Sequence, residues 1–273
     1  MRWDTPHHRG AGFSLYLLRP AGVYPILADL RAEPGLRPAE LLYRLEAANA
    51  ADAPLIGARD SSDGISHLLG SLRAAGLIVR SGGALLGAHT RYEATELGAG
   101  LVGALGPVTA WAAADVEFVV ASTRSRLGLP PLGGPLPAGL CRVRAATGMA
   151  IGLLAGAWAN ILAVYVDSAG PAGIGPLRLE DTVNAAIDAT SGPDRVMRRL
   201  HHGTMHATLN ELVARGLLEK LVQPPRVRYR VSPHGRGLLD AWWRVADDWG
   251  IAHDAEMFRI VQLSGWFERP SGG

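Results

Sequence analysis

An eleven-residue stretch of this chain recurs in altered form, and that recurrence limits the possible folds more than any other feature. Arg91-Tyr92-Glu93-Ala94-Thr95-Glu96-Leu97-Gly98-Ala99-Gly100-Leu101 returns 137 residues later as Arg228-Tyr229-Arg230-Val231-Ser232-Pro233-His234-Gly235-Arg236-Gly237-Leu238, with five of eleven positions identical. Upstream, Leu72-Arg73-Ala74-Ala75-Gly76-Leu77-Ile78 matches Leu212-Val213-Ala214-Arg215-Gly216-Leu217-Leu218 at an offset of 140, so the intervening segment is three residues shorter in the second copy. A variable loop on a shared scaffold behaves this way, and the 273 residues divide accordingly: copy one over 14–115, a linker over 116–137, copy two over 138–250 and a C-terminal extension over 251–273.

Each copy parses into the same elements. Ile65, Leu68, Leu69 and Leu72 fall at i, i+3, i+4 and i+7, one face of a helix that starts near Ser61, Ser62 and Asp63 and stops at Gly76. Strands are predicted over 77–80 and 90–94, joined by the tip Ser81-Gly82-Gly83, and Thr95 caps the next helix. Copy two repeats this with Met205, Leu209, Leu212 and Val213 buried, Gly216 as the stop, strands over 217–222 and 227–231, and Ser232-Pro233 as N-cap and first helical residue. Two more helices precede each: 23–31 and 38–47, then roughly 148–166 and 179–187. The fold class read from this order is mainly α with small β wings, a tandem winged helix-turn-helix forming an internal pseudo-dimer.

The second copy carries a family resemblance. Gly216-Leu217-Leu218, with Pro224-Pro225-Arg226-Val227-Arg228-Tyr229-Arg230-Val231-Ser232-Pro233-His234-Gly235, resembles the wing and following helix start of HxlR-type regulators, a branch of the MarR-like winged-helix proteins. Trp158 to Leu162 and Pro38 to Leu45 are similar to that family's first and second helices. Extra residues near 48–61 and 188–200 depart from the family pattern, and relatives usually carry one copy and dimerise. The resemblance implies a DNA-binding transcriptional regulator, with double-stranded DNA as partner and a small-molecule effector.

Composition narrows the setting. One cysteine, Cys141, forms no internal disulfide and no cysteine zinc cluster, and residues 1–12 lack the pattern of a secretory leader, so a reducing cytoplasm is expected. Residues 145–166 carry no charge and place Gly152 and Gly156 at GxxxG spacing, which fits a membrane helix; their place in the repeat favours a buried core helix instead.

Charge tests the DNA reading, since phosphate contacts come from Arg and Lys. Residues 14–115 hold eight Arg against ten acids, whereas residues 138–250 hold twelve Arg and Lys220 against ten. The candidate DNA-binding residues are therefore in copy two: Arg226, Arg228 and Arg230 alternating with Val227, Tyr229 and Val231; Arg195, Arg198 and Arg199 ahead of the third helix; and His202, His206 and Asn210 on it. Asn210 suits an adenine edge. In copy one the matching outward residues, Ser66, His67 and Gly70, follow Asp63, an acid that repels phosphate.

Other patterns carry less. Gly98-x-Gly100-x-x-Gly103 matches a dinucleotide fingerprint, but the polar strand before it points to a structural helix start. His202 and His206 have the i, i+4 spacing of a metal pair without a third ligand nearby, and neither metal nor other cofactor is expected. Trp111, Trp158, Trp242 and Trp243 fit core packing or, as ligand-binding residues, a pocket between the copies for an aromatic or polyketide-like molecule. The chain is expected as a monomer with its copies paired internally, or as a homodimer. The alternative function is a winged-helix fold repurposed as an enzyme or small-molecule binding protein of specialised metabolism without DNA binding, with Tyr43, His67, His206 and Tyr229 as catalytic candidates.

Overall fold

A computed structural model describes residues 12–256 and 259, apart from 13, 16, 21, 57–63, 83–89, 137–140, 157, 190–198 and 225. The chain is mainly helical with two small antiparallel sheets. Its contacts divide it into two compact units, Leu17–Gly152 on one hand and Met1–Tyr16 with Leu153–Gly273 on the other.

The first unit opens with α1 (Val23–Ala32), α2 (Pro38–Ile56) and α3 (Ile65–Ala74), followed by the hairpin β1 (Ile78–Ser81) and β2 (Arg91–Ala94) and then α4 (Glu96–Ala104). Ile65, Leu69 and Leu72 form the buried face of α3, as the spacing predicts. Between α1 and α2 a single antiparallel bridge joins Leu36 to Tyr92, extending the hairpin by one more segment. The second unit has the same wiring: α8 (Ala159–Ser168), α9 (Pro176–Ala189), α10 (His202–Ala214), β3 (Leu218–Gln223), β4 (Arg226–Val231) and α11 (Pro233–Val245), with a bridge from Ile174 to Tyr229. A π-helical turn, Ala246–Gly250, ends it.

The agreement between the copies extends to single hydrogen bonds. Thr95 accepts from the Gly98 N–H at 3.2 Å and donates its hydroxyl to the Gly76 carbonyl at 2.7 Å; Ser232 accepts from Gly235 at 3.0 Å and donates to Gly216 at 2.6 Å. Each hydroxyl thus satisfies one free N–H of a helix start and one carbonyl of the preceding turn. Gly76 and Gly216 have φ of +66° and +71°, the left-handed turn that ends the third helix in each copy. A Cβ on Gly98 would lie 2.1 Å from the Leu77 carbonyl oxygen, and one on Gly235 would lie 2.1 Å from that of Leu217. Gly98 and Gly235 are therefore close-packing positions, and Gly98 begins no dinucleotide fold: its preceding strand belongs to a two-stranded antiparallel hairpin.

Three expectations change. Residues 116–126, read as linker, form the helix α6 (Val116–Arg126), which follows α5 (Gly106–Ala114) and buries Val119 and Val120. Residues 143–152, assigned to copy two, belong to the first unit as most of α7 (Val143–Leu154), because Arg144 is held by Asp29 of α1. The apolar stretch 145–166 is two helices, α7 and α8, and every residue of Ala159–Val166 is buried. Among the described residues one helical stretch, Glu96–Ala114, is long and apolar enough to cross a membrane, and its apolar window is 33% buried.

Candidate nucleic-acid interface

The hairpin of the second unit sets three arginines on one face. Cross-strand partners share a face, and Arg226 pairs with Gln223, Arg228 with Leu221 and Arg230 with Glu219. Tyr229, between them, points the other way and is 1% exposed, with burial pushing its phenol pKa up. Only Arg226 of the three is free of a bond within the described residues. Arg230 is in an ion pair with Glu219 at 2.5 Å, and Arg228 donates to the Ala172 carbonyl at 3.2 Å.

Helix α10 buries Met205, Leu209 and Leu212 and leaves Asn210 exposed, with His206 half-buried. His202 hydrogen-bonds Glu180 at 2.8 Å and meets the His206 ring edge-on, centroids 4.4 Å apart. Arg199 is 3.1 Å from Asp188. Arg195 and Arg198 lie outside the described residues. Among the described residues no group of three His, Cys, Asp or Glu side chains comes together as a metal site.

One positioning residue escaped the sequence reading. The Asn184 side chain accepts from the Leu200 N–H at 2.7 Å and donates to the Leu200 carbonyl at 3.1 Å, both bonds buried, which fixes the approach to α10 against α9. The available signal was an amide beside the apolar stripe Leu179, Val183 and Ile187, since a buried amide must find partners.

The remaining candidates are divided between the two units. Tyr43 and His67 are exposed residues of the first unit, whereas His206 and Tyr229 belong to the second. Trp111, half-buried, stands edge-on to Phe118 at 6.1 Å in the first unit. Trp158, Trp242 and Trp243 belong to the second; Trp242 is a core residue at 3% exposure and the other two are half-buried. Drawn along contacts rather than sequence segments, the charge asymmetry also vanishes. Leu17–Gly152 holds twelve Arg and eleven acids, and the other unit fourteen Arg and Lys220 against fourteen acids, because Arg124, Arg126, Arg142 and Arg144 fall in the first.

No protein-family model matches the chain, and no curated protein or solved structure matches it.

Proposed function

We propose that the protein is a cytoplasmic DNA-binding transcriptional regulator of tandem winged helix-turn-helix architecture, with the second unit as the DNA reader and a small-molecule effector. The observation that carries this reading is the repeated order helix, bridge strand, helix, helix, two-stranded wing, helix, with an exposed Arg226 near the wing tip and an exposed polar face on the third helix of the second copy. A recognition helix reads base edges from such a face, and wing cations hold phosphates. The test is fluorescence anisotropy of the full chain on duplex DNA from upstream of its own gene, across salt. Binding that weakens as salt rises, with Arg226→Ala lowering the log-log slope by about 0.9, supports the reading. Absence of binding at low salt overturns it.

A second reading, the same fold used for small-molecule binding or catalysis without DNA, is favoured by one observation. Three candidate phosphate contacts, Arg199, His202 and Arg230, already face carboxylates of their own unit. A chain that never binds the duplex but alters or retains a metabolite would establish it.

A further inference from the structure

We propose that the unit Leu17–Gly152 contains a binding site for a small organic anion with an apolar body, in a cavity bounded by α1, α2, α6 and α7. The cavity measures about 390 Å³, within the size range of small-molecule sites. Its apolar wall is firm: Leu18, Leu45, Ile56, Met149 and Ile151 line it, each 6% exposed or less. Tyr43 also lines it and is 72% exposed, an aromatic surface with nothing packed over most of it.

The polar part of the wall is cationic. Five arginines, Arg19, Arg44, Arg126, Arg142 and Arg144, share the cavity with two carboxylates, Asp29 and Asp52. These carboxylates do not balance the set. Asp29 is taken by the fork of Arg144, at 2.6 and 2.8 Å, with Arg44 at 4.0 Å from the same group. Arg44 is engaged by Glu33, which is no part of the cavity, and Arg126 donates to the Gly152 carbonyl at 2.7 Å. Arg19 and Arg142 remain, both exposed and with no side-chain bond among the described residues. Two unengaged guanidinium forks beside an apolar wall suit a carboxylate or sulfonate head, which accepts two N–H donors at once, joined to a hydrocarbon or aromatic body. The concave wall concentrates the positive potential where that head would lie. A neutral ligand gains only the apolar part, and an inorganic anion only the cationic part.

The full-length chain titrated with 8-anilinonaphthalene-1-sulfonate provides the test, with N-phenyl-1-naphthylamine as the uncharged probe of similar body. Saturable one-to-one binding of the sulfonate is expected. Arg19→Ala with Arg142→Ala should weaken it about tenfold or more, with unchanged thermal unfolding and an unchanged, weaker affinity for the neutral dye. Ala145→Trp, which leaves every arginine in place and fills the cavity, should remove both. On the wild-type chain alone, rising salt should weaken the sulfonate and spare the neutral dye, so the proposal is tested even where a variant fails to fold. Equal affinity for the two dyes, sulfonate binding that ignores the arginine substitutions, or no saturable binding at all overturns it.

Discussion

Arg228 donates to the carbonyl of Ala172 at 3.2 Å, and 137 residues earlier Arg91 donates to the carbonyl of Gly35 at 2.6 Å. Both bonds lie beside the bridge that ties the hairpin to the segment between the first two helices: Ile174 and Tyr229 exchange two backbone bonds of 2.9 Å, and Tyr92 bonds Leu36 and Gly35 at 2.9 and 3.0 Å. An arginine used identically in both copies has a structural reason to be there, whatever either copy binds.

The wing arginines should therefore separate in their effects. Arg228→Ala is expected to lower stability by about 1 kcal/mol, a typical loss for one hydrogen bond, and Arg91→Ala to do the same in the first unit. Arg226→Ala should leave stability within about 0.5 kcal/mol, as surface substitutions do, while weakening DNA binding. Urea unfolding beside anisotropy on the same three variants distinguishes the roles. Equal loss of DNA binding with no loss of stability for Arg228→Ala would contradict its assignment as a clamp.

Gly98→Ala and Gly235→Ala should each destabilise by about 2–3 kcal/mol. The new methyl meets a backbone carbonyl at 2.1 Å, and a strand end cannot move aside as a flexible side chain does. By contrast Gly70→Ala, on the exposed side of α3 with open space around its Cβ position, should stabilise by up to about 1 kcal/mol through helix propensity. Denaturant midpoints of the three variants check the contrast.

The repeat made the local elements readable because their signals are local: a glycine that must be left-handed, a hydroxyl that caps, apolar residues every third and fourth position. Thr95, Ser232, Gly76 and Gly216 all took the parts their spacing gave them. What the sequence hid is long-range. The Arg144–Asp29 pair spans 115 positions and draws α7 to the first unit, and nothing near Arg144 signals its partner. The five cavity arginines come from four separate stretches of chain, so counts over contiguous segments misassigned their charge. Of the tryptophans, one follows its local spacing. Trp242 lies on the apolar stripe of α11 with Leu238 and Val245 and is buried, as that stripe requires.

Arg144→Met should destabilise more than the double variant Arg144→Met with Asp29→Asn. Asp29 is a carboxylate with a side chain 10% exposed, and removing its bidentate partner leaves it desolvated with only the more distant Arg44. The single change should cost about 2 kcal/mol, less than a fully buried pair because the Arg144 side chain remains 39% exposed, and the double change should recover about half. A double-mutant cycle by urea unfolding measures this coupling, and strict additivity would show that the pair contributes nothing.

Asp167 gives a pH dependence of known sign. Its carboxyl lies 2.7 Å from Arg236, yet burial raises its pKa above the usual aspartate value, outweighing that attraction, with Asp240 adding to the rise. In the unfolded chain the group ionises near the ordinary value of about 3.9. Between that value and the raised one the folded state holds a proton that the unfolded state has released. Stability contributed by the protonated carboxyl is therefore present at acid pH and is lost as pH rises through the raised value. Asp167→Asn removes the titration, so the stability of the variant relative to wild type should improve as pH rises from about 4 through the raised value and then level off. Arg236→Ala should push the carboxyl higher still and move the loss to higher pH. Urea unfolding of the three proteins at several pH values reads the difference directly, and a variant that instead loses ground as pH rises would mean that the Arg236 pair outweighs burial.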